Sequence, residues 1–392
     1  MANNNDKKVL NVPALRFPEF TGEWKKCTIK DYGEVITGNT PPTKNIEYYS
    51  NGSYLWASPA DLGLSKHITS TKTKLSLLGL KKTRTIPQGS ILVTCIGSTI
   101  GKMGMATETM STNQQINSVI VNDSTNNDFA YYAILNAFPR YLSEVGVQAV
   151  PILSKSNFEK LPNHTTTKEE QRKLGYFLNL LDERIATQNK IIEDLKKLKS
   201  AIIDKLYSST NGEIYSFRQL FEVVNEKNKA RAYKNILSAS QELGMIERSD
   251  INIDIKFEQE SISGYKIVHK GDYVVHLRSF QGGFAFSDRT GICSPAYIIL
   301  RPNDLVVYGY LSHFFTSKPF IKSLKLVTYG IRDGRSINVN EWLDMPILLP
   351  PAQEQIRILT IVNAIDAKLH NEVKVHFSLS SQKSYLLDTM FI

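Results

Sequence analysis

The stretch of this sequence that comes closest to a reactive site is a glycine-rich segment at residues 97–103. Its letters, GSTIGKM, approach the phosphate-binding P-loop, but three residues separate the glycines where that motif needs four. Met103 also stands where a P-loop carries the Ser or Thr that binds magnesium. We therefore interpret the segment as a turn between two strands.

Other chemistry-bearing patterns are also incomplete. No G-x-G-x-x-G motif opens a helix after a strand, so the sequence predicts no dinucleotide or adenosyl pocket. The Pro-Pro pairs at 41–42 and 350–351 lack the preceding Asn or Asp of an adenine-methyltransferase tetrapeptide. The seven histidines form no metal-binding i,i+4 pair with an acid, and Glu372-Val373-Lys374 lacks the upstream Pro-Asp of a nuclease. We predict no catalytic residue, no metal site and no cofactor bound by this chain.

Composition and charge set the class of protein. A chain of 392 residues is long enough for two or more domains. The formal net charge of +9 suits a polyanionic partner, because phosphate neutralisation supplies most non-specific affinity for nucleic acid. The three cysteines lie far apart, without disulfide or metal spacing, and the polar N-terminus lacks a signal-peptide core. A cytoplasmic location without membrane contact is the expectation.

Residues 168–207 have the pattern of one long helix. They contain no Pro and one Gly, and their apolar residues recur at every third or fourth position. At a rise of 1.5 Å per residue such a helix would span about 60 Å. This length exceeds a small domain, so we interpret the helix as a strut between domains.

Residues 352–391 repeat this pattern 184 positions later. Matched places carry identical polar residues, such as Asn179 with Asn363 and Asp182 with Asp366, which apolar periodicity alone does not explain. We conclude that the chain contains a duplicated unit. The two helices are expected to pair as an antiparallel coiled coil with a pseudo-twofold axis. The predicted seam consists of Leu174, Leu178, Leu181, Ile185, Ile192, Leu195, Ile202, Ile358, Val362, Ile365, Leu369, Leu379 and Leu386.

Each helix follows a globular region with short strands. Residues 90–96 and 117–121 are buried-strand candidates, and 129–142 has helical spacing. The predicted fold class is α/β (mixed α+β), with two similar globular domains joined by the two helices. The expected order is a flexible leader at 1–12, domain 1 at 13–167, the central helix at 168–207, domain 2 at 208–349 and the C-terminal helix at 350–392.

This arrangement suggests a molecular ruler for duplex DNA. Two domains held at a fixed separation could each read a few base pairs in the major groove. The domains differ most at residues 36–80 and 225–262, which predicts two different half-sites and therefore an asymmetric bipartite target.

The sequence resembles a known family, the specificity subunits of type I restriction–modification enzymes. The resemblance covers almost the full length and rests on four segments: 13–24 (PALRFPEFTGEW), 38–41 (GNTP), 171–184 and 349–355 (LPPAQEQ). It implies two target-recognition domains, two helical spacers and no catalytic activity of the chain itself. It also implies docking of two modification (methyltransferase) subunits, with restriction subunits joining the complex. AdoMet, ATP and Mg²⁺ would then be used by those partner subunits.

The residues expected to contact double-stranded DNA are polar or basic side chains in glycine-rich or irregular segments. Arg and Gln can make paired hydrogen bonds to base edges, whereas Lys more often meets phosphate. The preferred reading loops are residues 96–102 in the first domain and 278–283 in the second. The candidates are Lys66, His67, Lys72, Lys74, Lys102, Lys229, Arg231, Lys234, Arg278, Gln281, Arg332 and Arg335.

Two other functions remain open from the sequence. The first is a self-sufficient DNA-modifying enzyme, which the missing adenosyl pocket and catalytic tetrapeptide disfavour. The second is a structural coiled-coil adaptor without a DNA role, which two large and diverged domains disfavour.

Overall fold

A computed structural model describes residues 11–145, 152–240, 243–250, 259–276, 283–329 and 336–392. The chain divides into two compact units. Unit 1 runs to Lys190 and also takes in Lys374–Ile392, and unit 2 is Ile191–Val373. Each unit therefore contains one globular region together with a segment of each long helix. Of the leader predicted at 1–12, residues 1–10 lie outside the described residues.

The globular region of unit 1 is built on two main sheets. One has five strands in the order β2-β10-β7-β8-β4, the other has four in the order β5-β3-β9-β6, and β1 pairs with β11. The strands are β1 (Lys25–Thr28), β2 (Gly33–Thr37), β3 (Tyr54–Ala57), β4 (His67–Ile68), β5 (Thr73–Leu75), β6 (Thr85–Ile86), β7 (Ile91–Thr94), β8 (Met103–Ala106), β9 (Met110–Thr112), β10 (Ile116–Val121) and β11 (Pro162–Thr165).

Shorter helices accompany these sheets before the first long helix begins. They are α1 (Ile29–Tyr32), α2 (Leu77–Leu80), α3 (Asn127–Val145) and α4 (Lys155–Glu159), with short 3₁₀ turns at Ile46–Tyr48 and Pro59–Asp61. The long helix α5 spans Lys168–Ser208. The expected strands at 90–96 and 117–121 correspond to β7 and β10, and the expected helix at 129–142 lies within α3.

Unit 2 repeats the central part of this plan. Its main sheet has the order β13-β20-β17-β18, which parallels β2-β10-β7-β8, and β12 pairs with β23 as β1 does with β11. The strands are β12 (Glu213–Ser216), β13 (Phe221–Val224), β14 (Leu237–Ser240), β15 (Gly244–Glu247), β16 (Lys266–Val268), β17 (Tyr273–Val275), β18 (Phe284–Phe286), β19 (Gly291–Cys293), β20 (Ile298–Pro302), β21 (Thr328–Tyr329), β22 (Ser336–Ile337) and β23 (Pro346–Leu349).

The helices that follow α5 in the chain end with the second long helix. They are α6 (Phe217–Leu220), α7 (Tyr310–Phe314), α8 (Lys318–Ser323), α9 (Val339–Leu343) and α10 (Ala352–Met390), with 3₁₀ turns at Arg248–Asp250, Gln259–Gly264 and Leu324–Val327. The core is rich in aromatic rings: Trp342 stacks on Phe217 with ring centroids 4.3 Å apart. Among the described residues, no helix is both long enough and apolar enough to cross a membrane.

A buried glutamine anchors the first turn of each long helix to its own globular region. In unit 1, Gln171 accepts a hydrogen bond from the backbone N–H of Asn126 (2.8 Å) and donates to the carbonyl of Thr166 (2.8 Å). In unit 2, Gln355 accepts from the N–H of Val307 (2.8 Å) and donates to the carbonyl of Pro350 (2.9 Å). The matched glutamines of the two repeats therefore hold equivalent positions.

The two long helices contact each other through ion pairs inside each unit. In unit 1, Lys383 Nζ of α10 lies 2.5 Å from Asp182 Oδ1 of α5. In unit 2, Lys199 Nζ of α5 lies 2.5 Å from Asp366 Oδ1 of α10. Asp366 is the repeat counterpart of Asp182, and Lys383 is the counterpart of Lys199, each 184 residues later. In both units, therefore, the Asp of one repeat meets the Lys of the other.

The predicted seam residues all lie on covered faces of these helices. Leu174, Leu178, Ile358 and Val362 are buried, and the nine others are half-buried. Gln188, which interrupts the apolar stripe, is also buried. Pairing of the two helices along their whole length as a coiled coil stays a prediction, as do the predicted domain bounds.

The segment before β1 is tied to the start of α5. The Arg16 guanidinium makes two parallel hydrogen bonds to the Glu170 carboxylate, at 2.7 and 2.8 Å, and Glu170 is fully buried. Thr166 donates a further short hydrogen bond to the same carboxylate. Beside this pair, Lys173 forms an exposed ion pair with Glu19. The same helix end thus carries one buried and one exposed ion pair to the same segment.

Replacing Arg16 with Met should lower the free energy of unfolding by about 3–5 kcal/mol, because it leaves the Glu170 charge buried without its cation. Lys173→Met, which removes the exposed pair, should cost about 1 kcal/mol or less. Chemical denaturation of both variants measures the difference. Equal losses would show that burial does not set the strength of these contacts.

His313 makes the stability of unit 2 sensitive to acid. Its Nε2 lies 4.0 Å from Asp366 Oδ2, and its side chain is 16% exposed. Burial, followed by the nearby Lys199, lowers the pKa of His313, although Asp366 and Asn363 act in the opposite direction. The folded protein therefore holds this ring neutral at a pH where the unfolded chain already protonates it.

The free energy of unfolding should consequently fall as the pH drops below 6.5, the ordinary pKa of the ring. His313→Asn should reduce that loss by up to about 1 kcal/mol between neutral pH and pH 5, and change it little above pH 7. Denaturation curves across this pH range test it. An unchanged acid slope in the variant would refute the assignment to His313.

Candidate nucleic-acid interface

The loop predicted to read bases in the first domain is the turn between β7 and β8. Gly101 donates a backbone hydrogen bond to Thr94 (2.9 Å), which closes the turn, and Gly97 and Gly101 have φ of +96° and +89°. A Cβ at Gly101 would lie 2.8 Å from the Phe138 ring, so this position has no room for a side chain. The turn presents Ser98 and Lys102 to solvent. This agrees with the interpretation of residues 97–103 as a strand-to-strand turn.

His67 and Lys102 lie on adjoining parts of one sheet. His67 opens the edge strand β4, which runs parallel to β8, and Lys102 immediately precedes β8. The loop before β4 packs against Lys102: a Cβ built on Gly63 of this loop would lie 3.2 Å from Lys102 Cγ. Both side chains are exposed. The structure therefore brings these two predicted DNA contacts to the same edge.

Lys72 and Lys74 lie on the other sheet of unit 1. The backbone N–H of Lys72 donates to Asp61 Oδ1 (2.8 Å), and Lys74 sits on the edge strand β5 opposite Leu55. Both side chains are exposed. Asp61 belongs to the same loop as Gly63, so residues 58–66 contact both Lys72 and Lys102.

Lys66 does not belong to the exposed surface. Its side chain is 4% exposed and its ammonium lies 2.6 Å from Asp128 Oδ1. The ammonium also donates to Asn179 Oδ1 (2.9 Å) and Tyr132 Oη (3.3 Å). All three of its hydrogen-bond donors are thus engaged inside the protein, unlike those of the exposed candidates.

A second polar edge of unit 1 was not predicted from the sequence. Thr40 donates to Gln114 Oε1 (2.5 Å), and Arg84 donates from its guanidinium to the carbonyl of Thr37 (2.7 Å). Asn39 joins the two by accepting from the N–H of Arg84 (2.8 Å) and donating to the carbonyl of Lys82 (2.8 Å). Two of these residues, Asn39 and Thr40, belong to the segment 38–41 that carries part of the family resemblance.

A basic loop in unit 2 carries three of the predicted contacts. Lys229, Arg231 and Lys234 are all exposed. The buried Asn228 organises this loop by donating to the carbonyl of Tyr233 (2.8 Å) and accepting from its N–H (3.3 Å). Arg231 has φ of +52°, so the turn is tight. The loop therefore displays three cations on a backbone fixed by hydrogen bonds.

The remaining candidates fall on residues that are not described. Arg278, Gln281, Arg332 and Arg335 lie outside the described residues, as does most of the preferred second reading loop at 278–283.

Metal-binding and thiol chemistry find little support among the described residues. Among them, no group of three or more His, Cys, Asp or Glu side chains could hold a metal ion. Burial raises the pKa of the Cys95 thiol and of the Cys293 thiol to about 12 in each case, so both stay protonated near neutral pH. Among the predicted contacts that the structure describes, all except Lys66 are exposed.

Comparison with known proteins agrees with a DNA-specificity fold. Residues 21–197 match the family described as "Type I restriction modification DNA specificity domain". The MjaIX type I specificity subunit of Methanocaldococcus jannaschii is 30% identical over 182 residues, which cover 45% of this chain and 42% of that protein. The HindI specificity subunit of Haemophilus influenzae is 30% identical over 201 residues, covering 49% and 42%. The chain thus spans less than half the length of these curated relatives.

Two solved structures share the fold over nearly the full chain. The type I restriction–modification S subunit from M. genitalium has a TM-score of 0.59 at 16% identity, covering 97% of this chain and 99% of that one. A chain from a structural study of assembly and conformational transition of the type I system has a TM-score of 0.60 at 13% identity, covering 94% and 97%.

These findings define the class: a protein of two related mixed α/β regions with long helices, whose segment 21–197 matches the type I DNA specificity domain family. The curated relatives that it matches are specificity subunits of type I restriction enzymes.

Proposed function

We propose that this chain is the DNA sequence-specificity subunit of a type I restriction–modification complex. In this role it recognises an asymmetric bipartite target in double-stranded DNA and performs no reaction itself. It docks two modification subunits, directs their adenine methylation and, through the complex, directs cleavage by the restriction subunits. AdoMet, ATP and Mg²⁺ are bound by those partners, and the complex acts in the cytoplasm.

The observation that carries the proposal is the duplicated domain-and-helix plan. The main sheet of unit 2 repeats the strand order of unit 1, and Gln171 and Gln355 anchor equivalent helix starts. Duplication supplies two reading surfaces, and divergence of their loops supplies two different specificities. The net charge of +9 and the exposed cations of both units suit a phosphate backbone.

Methylation mapping tests this function directly. The purified chain is mixed with its modification subunit, AdoMet and genomic DNA, and methyladenine is then mapped. A split motif with two unlike halves is expected, and the modification subunit alone should methylate no defined motif. A single continuous motif, or methylation by this chain without the modification subunit, would contradict the proposal.

The basic loop of unit 2 should contribute to DNA affinity mainly by neutralising phosphates. Replacing Lys229, Arg231 and Lys234 with Ala should weaken specific and non-specific binding by similar factors. The slope of log K against log salt should become shallower by up to about 2.7, which is about 0.9 for each phosphate that the loop no longer neutralises. Thermal unfolding should change little, because these side chains are exposed.

The matched control replaces Lys196, Lys197 and Lys205, which are exposed on α5, with Ala. Both triple variants lose the same charge, so a general electrostatic effect would shift both slopes alike. Titrations use the assembled complex with its modification subunits. A loop variant with the slope of the helix control would argue against DNA binding by this loop.

A further inference from the structure

A buried polar cluster in unit 1 connects the reading edge to the long helices. Its centre is Lys66, which precedes the edge strand β4 and whose carbonyl accepts a hydrogen bond from the N–H of Met105 (2.7 Å). The main chain at Lys66 is therefore part of the sheet, while its side chain points into the protein.

The three donors of the Lys66 ammonium match three acceptors on two helices. Asp128 and Tyr132 belong to α3, and Asn179 belongs to α5. The ammonium also lies 4.4 Å from the centroid of the Tyr132 ring. Asn179 is held in its orientation because its amide donates to Glu183 (2.8 Å). One side chain thus spans from the sheet across α3 to α5.

The cluster continues to the second long helix. Tyr132 donates from its hydroxyl to Asp182 Oδ2 (2.7 Å), and Asp182 also receives the Lys383 ammonium at 2.5 Å. Two cations therefore balance two carboxylates, Asp128 and Asp182. Burial lowers the pKa of Lys66, and the hydrogen bond to Asp128 opposes that shift. The charges compensate one another only while all these elements keep their relative positions.

The loop that carries Lys66 also positions exposed side chains. His67 is the next residue, and Gly63, three residues earlier, packs against the side chain of Lys102. Displacement of Lys66 would therefore move the edge that presents both candidate DNA contacts.

Unit 2 has a similar but incomplete arrangement of its own. Asp366 meets Lys199 as Asp182 meets Lys383, and His313 approaches Asp366 as Tyr132 approaches Asp182. Arg248 lies 182 residues after Lys66, the offset that relates residues 86–93 to 268–275, but it bonds Ser238 at 3.4 Å instead. Among the described residues of unit 2, Arg248 does not make the connection that Lys66 makes in unit 1.

We infer that Lys66 is a positioning residue for the half-site read by unit 1, because it locks the edge carrying His67 and Lys102 onto α3 and the long helices. The inference rests on the proposed function. Without the lock, the loop has more freedom to adjust to a wrong base pair, so the penalty for a mismatch in that half-site decreases. The other half-site keeps its penalty, since unit 2 is unchanged.

The experiment measures methylation by the complex assembled with Lys66→Met, Lys66→Arg or wild-type chain. The substrates are the mapped target and a panel with single base-pair changes in each half. For Lys66→Met, discrimination against mismatches should fall roughly tenfold in one half-site, within the range that one mismatch normally costs. Discrimination in the other half should stay within about twofold. Lys66→Arg, which keeps the charge and the donors, should recover most of the loss.

Arg16→Met is the control for a purely structural effect. It breaks another buried ion pair on α5, to Glu170, and should lower the yield of active complex without changing discrimination in either half. If Lys66→Met does not assemble, Lys66→Gln, which is neutral but keeps an amide donor, should show the same loss in one half-site. Equal relaxation of both halves, unchanged discrimination, or the same pattern in Arg16→Met would overturn the inference. A wild-type complex that methylates no split target would instead overturn the proposed function.

Discussion

The structure depends on burial of the apolar stripes of two very long helices. An isolated amphipathic helix has little stability of its own. In a folded protein, most of the helix's stability comes from packing its apolar face against other elements. Each unit meets this need by receiving a segment of both helices. Phe391, the residue after α10, stacks on Phe129 of unit 1 with centroids 5.6 Å apart. Tyr207, 184 residues earlier, lies 5.1 Å from Tyr310 of unit 2. Each aromatic core is thus completed by the helix end of the other repeat.

The ion pairs between the helices refine this packing. Lys383 and Asp182 are 22% and 18% exposed, and Lys199 and Asp366 are 25% and 36% exposed. Partly exposed pairs of this kind contribute about 1 kcal/mol or less, so they add little to the total stability. Their value is specificity, because polar contacts among apolar ones penalise shifted registers. The same pairs also connect to Tyr132 in unit 1 and to His313 in unit 2, where they join helix pairing to the globular region.

Much of this organisation could be predicted from the sequence because it is periodic or repeated. Helix α5 is predicted at 168–207 and spans Lys168–Ser208, and the strands predicted at 90–96 and 117–121 correspond to β7 and β10. The matched glutamines were visible as identical letters, although only the structure shows that each joins a helix start to the preceding region. Comparison with solved structures confirmed the predicted mixed α/β class, and the predicted family is matched over residues 21–197.

The candidate interface was predicted less well, since exposure of a single side chain leaves no periodic signal. In the sequence, Lys66 looks like an ordinary surface lysine. In the structure its ammonium binds Asp128 and Asn179, which lie 62 and 113 positions later in the chain. Those acceptors are brought together by α3 and α5, which a local pattern does not reveal. His67, Lys72, Lys74 and Lys102 are exposed as DNA contacts must be, and their role remains a prediction.

Within each unit, the two helices pair through reciprocal Asp–Lys contacts. A double-mutant cycle on Lys199→Asp and Asp366→Lys, the pair of unit 2, measures the energy of this pairing, with the free energy of unfolding as the readout. Each single reversal should destabilise by placing like charges together, and the double reversal should recover most of that loss, with a coupling of about 0.5–1 kcal/mol or more. Losses that simply add, with no recovery in the double variant, would contradict the account.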